Sequence, residues 1–301
     1  VRKSLALNMP MAINISFGNN YGSHSGTSLL ETYIDDIAGL GRTAICIGTG
    51  NEAAEPVHTA VQFMKGRQNS SQDVLLGVAP SQTSLSVQIW KEYADEIDIE
   101  VLHPSGRSTG VLSAAAGAQR FPFGETILLI YYGEPSPYSI NQEIFIDMIP
   151  RGSFVDSGTW VIRLTPRNIL IGRVDLWLPA GGVLNRGSGF LNPEPYTTLT
   201  IPSTARKAIA VGAYDAYTDT YADFSGRGYA DANRTIGVVA AGLAKPDLAA
   251  PGVGIVAPDI YGNYSPFTGT SFATPLVSGS CALLMEWGIV RGNHPFLYGE
   301  K

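Results

Sequence analysis

The feature that most constrains this chain is a change in the period of its apolar residues. Met11 to Ser16, Thr43 to Gly48 and Ala208 to Ala213 are short continuous runs of apolar or small residues. Strands buried on both faces, as in a parallel sheet between helices, read in this way. Between the first two lies Thr27 to Ile37, with a hydroxyl start, apolar residues at helical spacing, and Gly39 and Gly41 near its end. It is expected to be the crossover helix between two parallel strands. From about 82 to 195 the texture changes to alternation, in Leu85, Val87 and Ile89; Ile97, Ile99 and Val101; Trp160, Ile162 and Leu164; and Val174, Leu176 and Leu178. A period of two, broken by turn-rich stretches such as Pro135-Ser136-Pro137 and Ala180-Gly181-Gly182, indicates antiparallel strands. The expected class is therefore α/β, a parallel sheet with helices, interrupted by an antiparallel β-sandwich of jelly-roll character. The expected limits are 1–81 for the first part of the α/β domain, 82–195 for the insert and 196–301 for the second part.

Composition narrows the function classes. With 301 residues, 45% of them hydrophobic and 15% charged, the chain can bury a sizeable core in one or two domains. Its 26 acidic and 20 basic residues leave a net charge of -6 and no Lys/Arg cluster, which argues against a nucleic-acid surface. No unbroken run of 18 apolar residues occurs, so no membrane span is expected. The two cysteines, Cys46 in a strand and Cys281 in a helix, are read as core thiols. Whether they meet depends on helix and strand geometry that sequence does not supply.

Chemistry concentrates at two places. Gly269-Thr270-Ser271-Phe272-Ala273-Thr274-Pro275 opens a run of apolar and small residues reaching Leu284, which sets Ser271 at a helix N-terminus. First-turn N–H groups lack intrahelical partners and the helix dipole favours negative charge, so an oxyanion beside Ser271 would be stabilised. Ser271 is thus either a nucleophile or simply an N-cap. Upstream, the strand Ala44 to Gly48 runs into Thr49-Gly50-Asn51-Glu52. An Asn on the loop after a parallel strand can aim its amide at an oxyanion, and Gly-Asn is also ordinary turn chemistry.

Together these segments resemble the subtilisin-like serine proteases, the subtilases. The likeness extends, in family order, to Ile15-Ser16-Phe17-Gly18, to Pro202-Ser203-Thr204-Ala205 with Ala210-Val211-Gly212-Ala213, to Phe224 through Gly228, and to Lys245 through Gly252. It covers roughly 1–80 and 195–301. The resemblance implies Ser271 as nucleophile and Asn51 as oxyanion donor in peptide-bond hydrolysis by acyl transfer. It makes Ser16, Phe17 and Gly18 the strand against which an extended protein or peptide substrate pairs, and Gly48, Thr49 and Gly50 the lining of a pocket. It places Glu52 at that pocket's rim, where it would favour a basic P1 side chain, with Thr270 beside the nucleophile. Phe272 stands where many subtilases have Met, which implies a flank less sensitive to peroxide. Asp247 is given a structural role. The insert likens the chain to a bacterial subset that includes the clostridial spore germination proteases, some of which are pseudoproteases, and leaves a secreted or spore-associated location open.

The triad order of the resembled family is Asp, His, Ser, and neither an Asp-Thr-Gly nor a His-Gly-Thr occurs in this chain. None of His24, His58, His103 and His294 is assigned as the base. The chain is expected to be a fragment, or one chain of a nicked protease, with Asp and His on a companion N-terminal piece, and to be inactive alone. No cofactor is expected, calcium is assigned to no residue, and neither nucleic acid nor membrane is an expected partner. The alternative function is a pseudoprotease or protein-binding regulatory scaffold.

Overall fold

The computed structural model describes residues 1–66, 70–112, 118–134, 139–229 and 244–294. The expected turn at Pro135-Ser136-Pro137 lies outside the described residues. The chain opens with a short helix α1 (Arg2–Leu7), strand β1 (Met11–Ile15), helix α2 (Leu29–Ala38) and strand β2 (Thr43–Gly48). Helix α2 begins where a capping box permits: Ser28 Oγ accepts the Glu31 N–H and the Glu31 carboxylate accepts the Ser28 N–H at 2.9 Å. It crosses over between β1 and β2, which pair in parallel from Met11↔Thr43 to Ile15↔Ile47, as the apolar runs imply.

The chain then enters the sandwich: β3 (His58–Gln62), β4 (Gln72–Val78), β5 (Leu85–Glu92), β6 (Glu96–Leu102), β7 (Ala118–Phe123), β8 (Thr126–Tyr132), β9 (Asn141–Pro150), β10 (Gly158–Asn168), β11 (Arg173–Trp177) and β12 (Gly189–Phe190). One sheet runs β12-β4-β10-β6 and the other β3-β11-β5-β9-β8-β7, antiparallel throughout. Every alternating residue named from sequence is buried, and they share one apolar cluster between the sheets. Each fully buried Leu or Ile contributes about 1.5–3 kcal/mol, so this cluster dominates the apolar burial. The sandwich begins at β3, earlier than residue 82. Its first strands were hidden because His58 and Thr59 are polar yet buried, satisfied by Asp175 and by the Asn192 carbonyl.

Back in the α/β part come β13 (Ile209–Asp215), β14 (Thr220–Tyr221), β15 (Leu248–Pro251), the hairpin β16 (Ile255–Pro258) with β17 (Tyr264–Phe267), and α3 (Thr270–Met285), which runs into a single π-helical turn at Glu286–Val290. Strands β1, β2, β13 and β15 are parallel, and β14 adds antiparallel to the end of β13. All of β2 is buried. Its alternate side chains serve two small cores: Ile45 and Ile47 join Ile34 and Ala38 of α2, while Cys46 joins Val211, Ala213, Ala250 and Ala273 beside α3.

Residues 270–290 form a helix long and apolar enough to cross a membrane, although no unbroken apolar run exists, because its Thr, Ser and Gly residues cost little hydropathy. Its inner face is packed on β1, β2, β13 and β15. Its outer face is bare, with Leu276, Leu283, Leu284, Trp287 and Val290 exposed.

Candidate active site

The site forms where β2 ends and α3 begins. Gly48 closes β2, and a Cβ there would come within 2.9 Å of Thr274 Oγ1 and 3.2 Å of Thr270 Oγ1, so only glycine lets the helix seat this closely. Helix α3 is capped by Gly269 at φ 151°, a conformation that side chains resist. Ser271 is therefore not the N-cap and its hydroxyl is not used to cap the helix. Asn51 caps the helix from the side instead: its Oδ1 accepts the Thr270 N–H at 2.9 Å and the Thr270 hydroxyl at 3.2 Å. These two donors fix the amide's orientation and leave the Nδ2 hydrogens for another acceptor.

Pro275 lies inside α3 and has no N–H, so the Ser271 carbonyl four residues earlier loses its intrahelical partner. The Ser16 hydroxyl donates to that carbonyl at 3.2 Å, which ties the end of β1 to the turn carrying Ser271. As the second residue of α3, Ser271 also has a backbone N–H with no intrahelical acceptor. The helix end thus keeps the Ser271 N–H without a partner among the described residues, together with a partial positive charge, the setting in which a developing anion is stabilised.

A cleft of about 90 Å³ opens beside Ser271, lined by Ser16, Phe17, Gly18, Gly48, Gly50, Asn51, Glu52, Thr200, Thr270 and Ser271. Of the residues read from sequence, Thr49 alone is turned away. Strand alternation sends its side chain to the opposite side, toward the Ser225 hydroxyl, and its carbonyl accepts the Thr200 N–H at 2.9 Å. Glu52 sits in the cleft with one carboxylate oxygen accepting the Asn51 N–H at 2.6 Å. Burial pushes its carboxyl above the usual range. Thr200, which sequence reasoning missed, is buried, and its hydroxyl has no hydrogen-bond partner among the described residues. Its one sequence signal is its place just before Pro202-Ser203-Thr204.

Three of the four histidines have other work. His24 is buried, its Nδ1 2.7 Å from the Leu199 carbonyl, and burial lowers its pKa to about 4. Its ring stacks on Trp177, whose other neighbour is His58, and the Trp177 indole donates to the Thr197 carbonyl. His58 lies 3.0 Å from Asp175. Burial works against ionised Asp175, but His58 and Arg173 outweigh it and hold that carboxyl below its ordinary value. His103 packs in the sandwich beside Asp156 and Trp160. None of the four hydrogen-bonds to Ser271 among the described residues. Asp247 accepts the Ala210 N–H and pairs with Lys245, a structural role. Phe272 stacks on Phe267 at 4.9 Å. Among the described residues no group of three or more His, Cys, Asp or Glu is placed to hold a metal.

A parallel sheet in which Ser271 opens a helix beside a strand end bearing Asn51, interrupted by an antiparallel sandwich, is the architecture of a subtilisin-like fold. Comparison with known proteins agrees: residues 185–289 match the Subtilase family, peptidase S8. The solved CspB protease of Clostridium perfringens is 35% identical and superposes with a TM-score of 0.87 over 99% of this chain and 59% of that one. Serine protease AprX of Bacillus subtilis (strain 168) is 32% identical over 127 residues, 36% of this chain. The chain spans 26% of the length of AprX and 59% of the CspB chain. The subtilase resemblance and the α/β class with its antiparallel insert are thus borne out.

Proposed function

We propose that this chain is the nucleophile-bearing part of a serine endopeptidase. Ser271 attacks the scissile carbonyl carbon while a histidine takes its proton. The Ser271 N–H and Asn51 Nδ2 hold the oxyanion of the tetrahedral intermediate, whose collapse expels the amine, and water then hydrolyses the acyl-enzyme. The observation that carries this reading is the Asn51 amide. Thr270 holds its oxygen, so its nitrogen is kept available at the cleft one residue from Ser271.

The base and its aspartate we place on polypeptide beyond these 301 residues, either upstream in the same protein or as a companion fragment, because none of the four histidines hydrogen-bonds to Ser271 among the described residues. Two surfaces support this. Among the described strands β1 pairs only with β2, so its other edge is open to a further strand. The apolar outer face of α3 is likewise exposed among the described residues. The 301 residues alone are expected to be catalytically poor, since a serine hydroxyl without a base is weakly nucleophilic.

An extended peptide would pair with Ser16-Phe17-Gly18 and send its P1 side chain into the cleft. There Glu52 and the unpartnered Thr200 hydroxyl offer oxygen acceptors, which favours a P1 side chain ending in N–H donors, a basic one first. The test is peptide hydrolysis by the full-length gene product beside its Ser271→Ala variant. Turnover in the first and none in the second is expected; equal rates would remove Ser271 from the mechanism. The second reading, a pseudoprotease that binds a partner, rests on the lack of any histidine at Ser271 and would leave both proteins inert.

A further inference from the structure

The two cysteines of the chain lie 235 residues apart in sequence, yet their sulfurs are 3.9 Å apart. Cys46 is fully buried on β2, and Cys281 on α3 is partly open to solvent. Disulfide bonds span about 2.05 Å, so the sulfurs need to approach by about 1.9 Å, within reach of side-chain rotation. Cys46 shares its cluster with Val211, Ala213, Ala222, Ala250 and Ala273, and Cys281 packs against the same cluster.

We propose that Cys46 and Cys281 are a reversible disulfide site that pins the helix carrying Ser271 to the strand that leads to Asn51. The oxidant is a low-molecular-weight disulfide. The Cys281 thiolate attacks one of its sulfurs, forming a mixed disulfide and releasing one small thiolate. Cys46 then attacks the Cys281 sulfur, its proton going to the second small thiolate as that group leaves. Overall the protein loses two electrons and two protons, and the small disulfide becomes two thiols. The order follows from access and acidity: the hydrogen bond from Cys46 lowers the Cys281 pKa to about 7, whereas that same interaction and burial raise Cys46.

The consequence is local to the site. Oxidation would join the two elements whose ends hold Ser271 and Asn51 in register, whatever covers the outer face of α3. The inference stands apart from the proposed hydrolysis, because its readout is the state of two sulfurs.

The experiment exposes the folded, reduced protein to oxidised glutathione at pH 8, without denaturant, and follows intact mass and iodoacetamide uptake. Expected are a mass loss of about 2 Da, loss of both alkylation sites, a 46–281 cross-linked peptide, and full reversal by dithiothreitol. Cys46→Ser should stop at a glutathione adduct on Cys281, and Cys281→Ser should not react while folded. A wild-type protein that retains the Cys281 adduct without cross-linking, or that keeps both thiols free, would overturn the proposal.

Discussion

The sandwich and the α/β part differ in closure. Among the described residues the sandwich gathers 28 buried apolar side chains into one cluster between two sheets. The α/β part divides its core into two clusters of six, one on each face of its sheet. One of these is roofed by α2, and the other by α3, whose far side is bare. The difference teaches where the chain is self-sufficient. The insert satisfies its own burial requirement, whereas the part carrying Ser271 and Asn51 presents, among the described residues, an open sheet edge and an open helix face. A catalytic centre assembled on such a part depends on what covers it, while the sandwich supplies a fixed wall. Trp177, held between His24 and His58, and its bond to Thr197 connect that wall to the segment ending at Thr200 in the cleft.

The largest expected effect lies in the open part. In the full-length protein Ser271→Ala should lower turnover by about a million-fold, the scale known for removal of a subtilisin-type nucleophile, as read by steady-state peptide hydrolysis. Asn51→Ala should cost about 100- to 1,000-fold in kcat with KM little changed, since the amide acts on the oxyanion rather than on the bound substrate. An equal rise in KM would instead assign Asn51 to substrate binding or to holding the helix end through Thr270.

Stability should divide along the same line. Ile130→Ala, inside the sandwich, is expected to destabilise by about 2–5 kcal/mol in urea unfolding. Leu284→Ala, on the bare face of α3, should change the stability of the 301-residue chain by less than about 0.5 kcal/mol. If Leu284→Ala proved as costly as Ile130→Ala, the outer face of α3 would already be covered and the contrast would fail.

The junction should respond to acid. His24 has its folded pKa lowered from 6.5 to about 4 by burial, so the unfolded chain binds the proton first as pH falls. Its contribution is intact above pH 6.5 and is lost between 6.5 and about 4, to a limit of about 3 kcal/mol. His24→Asn tolerates the residue's φ of 52° and should flatten that part of the pH–stability curve. An unchanged slope would show that His24 does not control the junction.

The smallest effect concerns specificity. Glu52→Gln should reduce kcat/KM for basic P1 peptides by about 2- to 5-fold and leave apolar P1 peptides alone. The basic preference should fade as pH falls through the raised Glu52 pKa.

Legibility in the sequence followed the same division between local and assembled features. Three of the four parallel strands, the capped helix α2 and four sandwich strands were readable because period and caps are local. Strand β3 was not, since its polar His58 and Thr59 are satisfied by residues more than a hundred positions away. Ser271, Asn51 and most of the cleft were readable from contiguous segments. Thr200 was not, because its hydroxyl reaches the cleft only once 197–200 is placed against Thr49. The Ser16 bond to Ser271 follows from Pro275, yet it needs β1 beside α3, which spacing alone does not give.

The most direct measurement is fluorophosphonate labelling of the full-length gene product and of the isolated 301-residue chain, with the modified residue located by mass spectrometry. An adduct on Ser271 in the full-length protein, and little or none in the isolated chain, is the expected result. Equal labelling of Ser271 in both, or an adduct on another serine, would contradict a half-site that borrows its base from beyond these residues.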